Sequence, residues 1–181
     1  MARYLLDTNA YFEILKSIAE ERITDKIQDI IRGECYISRL TKIEIISVIG
    51  KYARGQSRQV QTCDRIHEDT KNVCGKRFEI PERRKWNNTK LHDWLKLEKE
   101  ISEGRNPVFN VNVLEVNEKT IKESQNFIKN ALLYNFKSMD AMILGTAKAY
   151  SEMEDELAIV TADKGLKAAL KRISYTYESL H

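Results

Sequence analysis

Short apolar runs alternate along the chain with longer stretches in which apolar residues recur at helical spacing. Tyr4-Leu5-Leu6 is such a run and reads as a buried strand. Asp7-Thr8-Asn9 breaks it with three small polar residues, each able to cap a helix, and a helical stretch follows over Ala10 to Leu15. Glu20 to Arg32 continues as a second helix, with Ile23, Ile27, Ile30 and Ile31 at helical spacing and Gly33 at its end. Cys35-Tyr36-Ile37 is the next strand. Ser38 and Thr41 are candidate N-caps for a helix from Leu40 to about Ala53. On it Leu40, Ile43, Glu44, Ser47 and Val48 share one face. Glu44 therefore projects from a face that is otherwise apolar or small.

From Arg54 to Arg105 the alternation lapses. This stretch opens polar, with Gly55-Gln56-Ser57-Arg58-Gln59, and is expected to contain two helices. The better defined runs from Thr89 to Ser102, with Leu91, Trp94, Leu95 and Ile101 on its apolar side. Between the two lies a basic turn with an aromatic, Pro81-Glu82-Arg83-Arg84-Lys85-Trp86. The stretch reads as an inserted helical arm, so residues 1–181 are expected to form a single domain with an insertion at about 54–105. Phe109 to Leu114 then alternates as a strand, and Asn117 caps a helix running to about Leu133. Ser138 caps another to about Met153. Leu157 to Thr161 is a strand, Gly165 to Arg172 a short helix, and Tyr175-Thr176-Tyr177 a last strand. Strands alternating with helices predict an α/β fold, with a mostly parallel central sheet covered on both faces.

Composition narrows the class. A chain of 181 residues, 42% hydrophobic and 31% charged, is that of a soluble globule with a sizeable core. No apolar run approaches the ~18 residues of a membrane span, and the N-terminus lacks the pattern of a signal peptide. A cytoplasmic protein with no membrane partner is expected. Cys35, Cys63 and Cys74 are then reduced thiols. Cys63, His67 and Cys74, with His92 as a distant fourth, offer zinc ligands but lack the usual short Cys-Cys spacing. The net charge of +3 is too mild to indicate a nucleic-acid partner. Its distribution says more: residues 51–105 hold 14 Lys+Arg against 9 Asp+Glu, so the basic excess lies in the middle, where a polyanion can be gripped.

Four acids stand at element boundaries. Asp7 and Asp163 follow apolar strands, the place where parallel sheets bind ligands. Asp140 opens an apolar helix, where the dipole favours an anion. Glu44 lies one turn into a helix that follows a strand. Each has a plain reading as a cap, a first-turn acid or a turn residue. Together they are harder to dismiss, since gathered carboxylates repel one another unless a cation intervenes. Oxygen donors without Cys or His select hard ions, Mg2+ or Mn2+, which activate water and stabilise charge on a scissile phosphate.

The ordered set Leu5-Leu6-Asp7-Thr8-Asn9, Glu44 inside a helix, Met139-Asp140-Ala141 and Val160-Thr161-Ala162-Asp163 resembles the PIN domain family over residues 1–53 and about 108–181. The resemblance implies a three-layer α/β/α sandwich and a metal-dependent endoribonuclease that hydrolyses RNA phosphodiester bonds. Asp7, Glu44, Asp140 and Asp163 would be the catalytic, metal-binding quartet, and Asn9 and Thr161 match polar positions beside it. Many bacterial and archaeal members are VapC-type toxins, which brings in a protein antitoxin as partner, and homodimers are common among such proteins. Arg83, Arg84, Lys85 and Trp86 are the candidate RNA contacts of the arm, cations for phosphate and a ring for bases. Two other functions are weighed. One is a non-catalytic PIN-like module that binds RNA or protein. The other is a HAD-type phosphohydrolase, which also begins with a strand-end Asp but needs a second Asp where Asn9 stands, and a Lys, for which Lys137 and Lys148 are available.

Overall fold

The computed structural model describes residues 2–55, 59–63, 74–80, 82–129, 137–151 and 157–180. Its centre is a five-stranded sheet of β1 (Arg3–Leu6), β2 (Glu34–Ser38), β5 (Asn112–Leu114), β6 (Ala158–Thr161) and β7 (Tyr177–Ser179), in the order β5-β2-β1-β6-β7. Every pairing is parallel. From β1 the chain builds outward through β2 and β5 on one side and through β6 and β7 on the other. The order of the sheet thus reverses between β1 and β6, and such a switch point opens a crevice at the strands' carboxyl ends.

Strand residues alternate between two cores. Leu6, Cys35, Ile37 and Val160 pack against α1 (Thr8–Ala19), α3 (Arg39–Ala53) and α4 (Asn88–Ser102). Leu5, Tyr36, Leu114 and Ile159 face the other way, onto α6 (Ser138–Ser151) and α7 (Lys164–Arg172). Such period-2 alternation in a sheet covered on both faces makes an α/β/α sandwich.

Several boundaries differ from the sequence expectation. The second helix, α2, is confined to Asp25–Ile31, capped by Thr24, because Glu21 takes a left-handed φ of 53° and breaks the run. The strand expected from Phe109 narrows to β5, with Phe109 and Val111 buried ahead of it. The last strand moves two residues on, to Tyr177–Ser179. Ser138 is the first residue of α6, and Asn117 caps α5 (Glu118–Ile128) as expected. The expected ends of these helices, near Leu133 and Met153, lie outside the described residues.

The largest correction concerns α3. Its buried line is Thr41, Ile45, Ile49 and Ala53, while Ile43 is 64% and Ile46 43% exposed. Glu44 therefore sits at the border of the buried face, with room for solvent or a ligand, and Ser38 is the cap.

In the arm, α4 matches its expected helix and belongs to the same core. Trp94 and Ile101 are buried with residues of α1 and α3. Glu98 is buried there too, which pushes its carboxyl above the ordinary range. The second helix expected in the arm has no counterpart among the described residues. An antiparallel pair, β3 (Gln59–Thr62) and β4 (Arg77–Ile80), stands ahead of α4 instead.

At Gly145, α6 packs tightly on α5. A Cβ at Gly145 would lie 2.1 Å from Ser124 Oγ and 2.7 Å from the Thr120 carbonyl oxygen. Gly145→Ala should therefore destabilise the fold by about 1–3 kcal/mol through overpacking, outweighing the helix propensity of Ala. A urea melt reads this as a lower midpoint; an unchanged or higher midpoint would show that α5 and α6 can part without cost.

Candidate functional site

At the switch point Leu6 pairs with Val160, and the Asp7 N–H donates to the Val160 carbonyl at 3.1 Å. That register sets Asp7 beside Thr161. Asp7 is 5% exposed and caps α1, accepting the Ala10 N–H at 2.5 Å. The Thr161 hydroxyl donates to its other carboxylate oxygen. Thr161 in turn accepts the Asp163 N–H at 2.9 Å. Asp163 caps α7 through the Leu166 N–H, also at 2.9 Å. Caps at both helices thus hold two acids in fixed poses, and Thr161 links them.

Asp140 lies in the first turn of α6 and accepts the Lys137 N–H at 2.9 Å. Glu44 accepts a hydrogen bond from the Thr8 hydroxyl. The sequence marks Thr8 as a strand-breaking residue able to cap a helix, not as a partner of Glu44. Its place next to Asp7 is the one signal the sequence offers. Asn9 is exposed in the first turn of α1.

The four acids feel one another. Burial, and after it the charges of Asp163 and Asp140, raise the Asp7 carboxyl to about 6, against the lowering pull of Thr161 and Ala10. Burial raises Asp140 as well, with Asp163 and Glu44 adding to the shift and the Lys137 N–H opposing it. The quartet thus gathers side chains from both helical layers at one sheet end. Among the described residues, no three His, Cys, Asp or Glu side chains form a group placed to hold a metal ion. None of the four acids forms a salt bridge with a described residue. The four acids offer oxygen donors only, with a surplus of negative charge that the Lys137 ammonium offsets in part at Asp140, and oxygen donors suit a hard divalent ion.

The other sequence candidates lie elsewhere. Cys35 is buried, which pushes its thiol up to about 12, and among the described residues none of the three cysteines is in a disulfide. Cys63 and Cys74 stand where β3 and β4 end and begin, and His67 lies outside the described residues. Trp86 is no free platform. Its N–H donates to the Ala53 carbonyl at 2.9 Å, and its ring centroid lies 4.6 Å from that of Trp94. It walls the arm, with Arg83, Arg84 and Lys85 just before it. Pro81 lies outside the described residues.

A family profile described as PIN domain matches residues 4–171, and the chain belongs to that family. The HAD-type reading falls with that assignment. No curated protein matches the chain. Among solved structures, the chain resembles FitAcB from Neisseria gonorrhoeae, at a TM-score of 0.53 and 15% identity, over 96% of this chain and 95% of that one. It is also similar to VapBC2 from Rickettsia felis bound to a DNA fragment from their promoter, at 0.54 and 13%, over 97% of each chain. DNA-bound VapBC from Salmonella typhimurium matches at 0.54 and 15%, over 99% of this chain and 98% of the other. At these identities the likeness is one of fold.

The raised Asp7 makes a stability prediction. Its folded pKa of about 6 lies above the ordinary 3.8, so the folded state binds the proton more tightly. That contribution is present below pH ~4 and is lost as pH rises through ~6, worth on the order of 2–3 kcal/mol. Asp140, raised in the same direction, adds to the fall. In chelator, urea melts should show stability decreasing between pH 4 and 6, and Asp7→Asn should flatten that slope. A slope of equal size in the variant would place the titration elsewhere.

Proposed function

We propose that the chain is a metal-dependent endoribonuclease, with Asp7, Glu44, Asp140 and Asp163 as its catalytic carboxylates and Mg2+ or Mn2+ as its cofactor. The observation that carries this reading is the electrostatic coupling of four acids from four elements at the switch point of a PIN-family sheet. When bound, the ion would supply a water activated near neutral pH and charge stabilisation at the scissile phosphate. Asp7 and Asp163, fixed by their caps and by Thr161, are the rigid ligands. Asp140 and Glu44 reach in from α6 and α3. Thr8 keeps the Glu44 carboxylate turned toward α1. Without the ion the four acids would repel a phosphodiester, so binding of substrate phosphate and binding of metal are linked.

The toxin reading is the finer part of the proposal. It is supported by the VapC-type members of the family and by the VapBC names among the structural neighbours. A protein antitoxin would be its partner, and exposed Ile43 and Ile46 on α3 are a surface such a partner or a second copy could cover. We also take residues 1–181 as one domain, with 54–105 as an insertion whose α4 shares the main core. Among the described residues no helix is long and apolar enough to cross a membrane, and we place the protein in the cytoplasm.

Cleavage of a single-stranded RNA should require Mg2+ or Mn2+ and stop with chelator. Asp140→Asn and Asp7→Asn should each lower the rate by more than the roughly 10–100-fold that loss of an outer-shell partner costs. Both variants should fold, since Asn can keep the Asp7 cap and the bond that Asp140 accepts from the Lys137 N–H, and the change removes repulsion. Full activity in both variants, or equal activity in chelator, would reject the proposal in favour of a non-catalytic PIN-like module.

A further inference from the structure

The basic turn of the arm and the acid quartet sit at opposite ends of α1. Asp7 caps the N-terminus of that helix, and at ~1.5 Å rise per residue Lys16 lies roughly 14 Å and Glu20 roughly 20 Å along it. There a cavity of about 570 Å³ opens between the C-terminal ends of α1 and α3 and the start of α4. Its size is that of a small-ligand site.

Cations reach it from three elements. Lys16 comes from α1, Arg83, Arg84 and Lys85 from the turn, and Lys90 from the first turn of α4. Glu20 is the one carboxylate in its lining. Arg84 and Lys85 are exposed and form no ion pair with a described residue. The N-terminus of α4, capped by Asn87, adds its partial positive charge. Flat groups alternate with these charges. The Arg83 guanidinium lies 3.9 Å over the Tyr52 ring, and Lys90 Nζ lies 4.9 Å from the centre of the Trp86 ring.

The turn that carries the cations is anchored at two points. Trp86 N–H holds the Ala53 carbonyl. Gly55, at φ 71°, lies so close that a Cβ there would be 2.6 Å from the Arg83 carbonyl oxygen. A pocket with a pinned backbone and two exposed cations, Arg84 and Lys85, that form no ion pair with a described residue is built to receive an anion with little ordering cost.

We propose that this pocket is a second binding site for single-stranded RNA, remote from the acids, in which the cations hold phosphates and a base packs against the part of the Trp86 ring left exposed in the pocket wall. Charge alone would also suit an acidic peptide, but a peptide carboxylate has no use for flat groups interleaved with cations, whereas bases stack on them. The identification of the polymer as RNA rests on the ribonuclease reading; the existence of the site does not. Strand lying along α1 would connect the two ends, so the arm would select substrates long enough to span them.

Both tryptophans of the chain, Trp86 and Trp94, line the pocket, so intrinsic fluorescence reports on it directly. The titration is done in chelator, where cleavage plays no part, with a short single-stranded RNA, its duplex, AMP and a poly-glutamate peptide as probes. Single-stranded RNA should change the emission and bind tightest, with AMP weaker and the duplex and peptide weakest. The Arg84→Ala, Lys85→Ala double variant, altered only at exposed positions, should bind RNA about tenfold more weakly. Its log K against log salt slope should flatten by about 0.7 per lost phosphate contact. Asp140→Asn should bind RNA in the pocket as well as the unaltered chain, even if cleavage itself proves absent. No emission change with RNA, an unaltered salt slope in the double variant, or tighter binding of the peptide would overturn the proposal.

Discussion

Mutual repulsion of carboxylates at one end of a parallel sheet is the constraint on which the rest of the structure turns. A single buried acid costs free energy, and neighbouring acids raise that cost. Asp7 is nearly inaccessible, feels both Asp140 and Asp163, and is raised to about 6. The fold tolerates this because every acid is tied to a donor. Two helix N-termini supply backbone N–H groups to Asp7 and Asp163, the Lys137 N–H serves Asp140, and the hydroxyls of Thr161 and Thr8 serve Asp7 and Glu44. These donors orient the acids without neutralising them. The charge is left for something else to balance.

The topology explains why the acids come from so many places. The sheet reverses order between β1 and β6, and the chain leaves each of these strands straight into a helix. Asp7 and Asp163 are therefore residues of strand exits and helix caps at once. α3 and α6 bring Glu44 and Asp140 to the same end, one from each helical layer. The arm belongs to the layer of α1 and α3, and its basic turn is carried to the far end of α1. The basic turn and the acids are thus separated by the length of a helix.

The sheet and its flanking helices are legible in the sequence because apolar runs and helical periodicity carry the same message, and because Asp, Ser, Thr and Asn mark the caps. The places of Asp7 and Asp163 are legible for the same reason, since a small acid between an apolar strand and a helical stretch marks a cap, and both are caps. The inward face of α3 is not. Its helix carries Leu, Ile and Val at nearly every turn, so periodicity alone allows two faces, and the buried one runs through Thr41 and Ile45 rather than Ile43. The β3–β4 pair is hidden because its four-residue strands, Gln-Val-Gln-Thr and Arg-Phe-Glu-Ile, have too little apolar content to stand out beside helical neighbours. For Trp86 the sequence leaves two readings open, a ring that packs the arm inward and a ring that stacks on bases. Only the tertiary partner Trp94 shows that it packs inward. Thr8 needed knowledge of where α3 lies.

The central claim is that the charge on these four carboxylates is balanced by a divalent ion. Calorimetric titration of the apo chain with Mn2+ measures this without any substrate. The account predicts saturable binding, and a melting temperature that rises with Mn2+ because the folded state alone holds the ligands together. It predicts that the Asp140→Asn, Asp163→Asn double variant loses most of both. Equal heats and an equal rise in melting temperature for the two proteins would contradict the account and place the ion elsewhere.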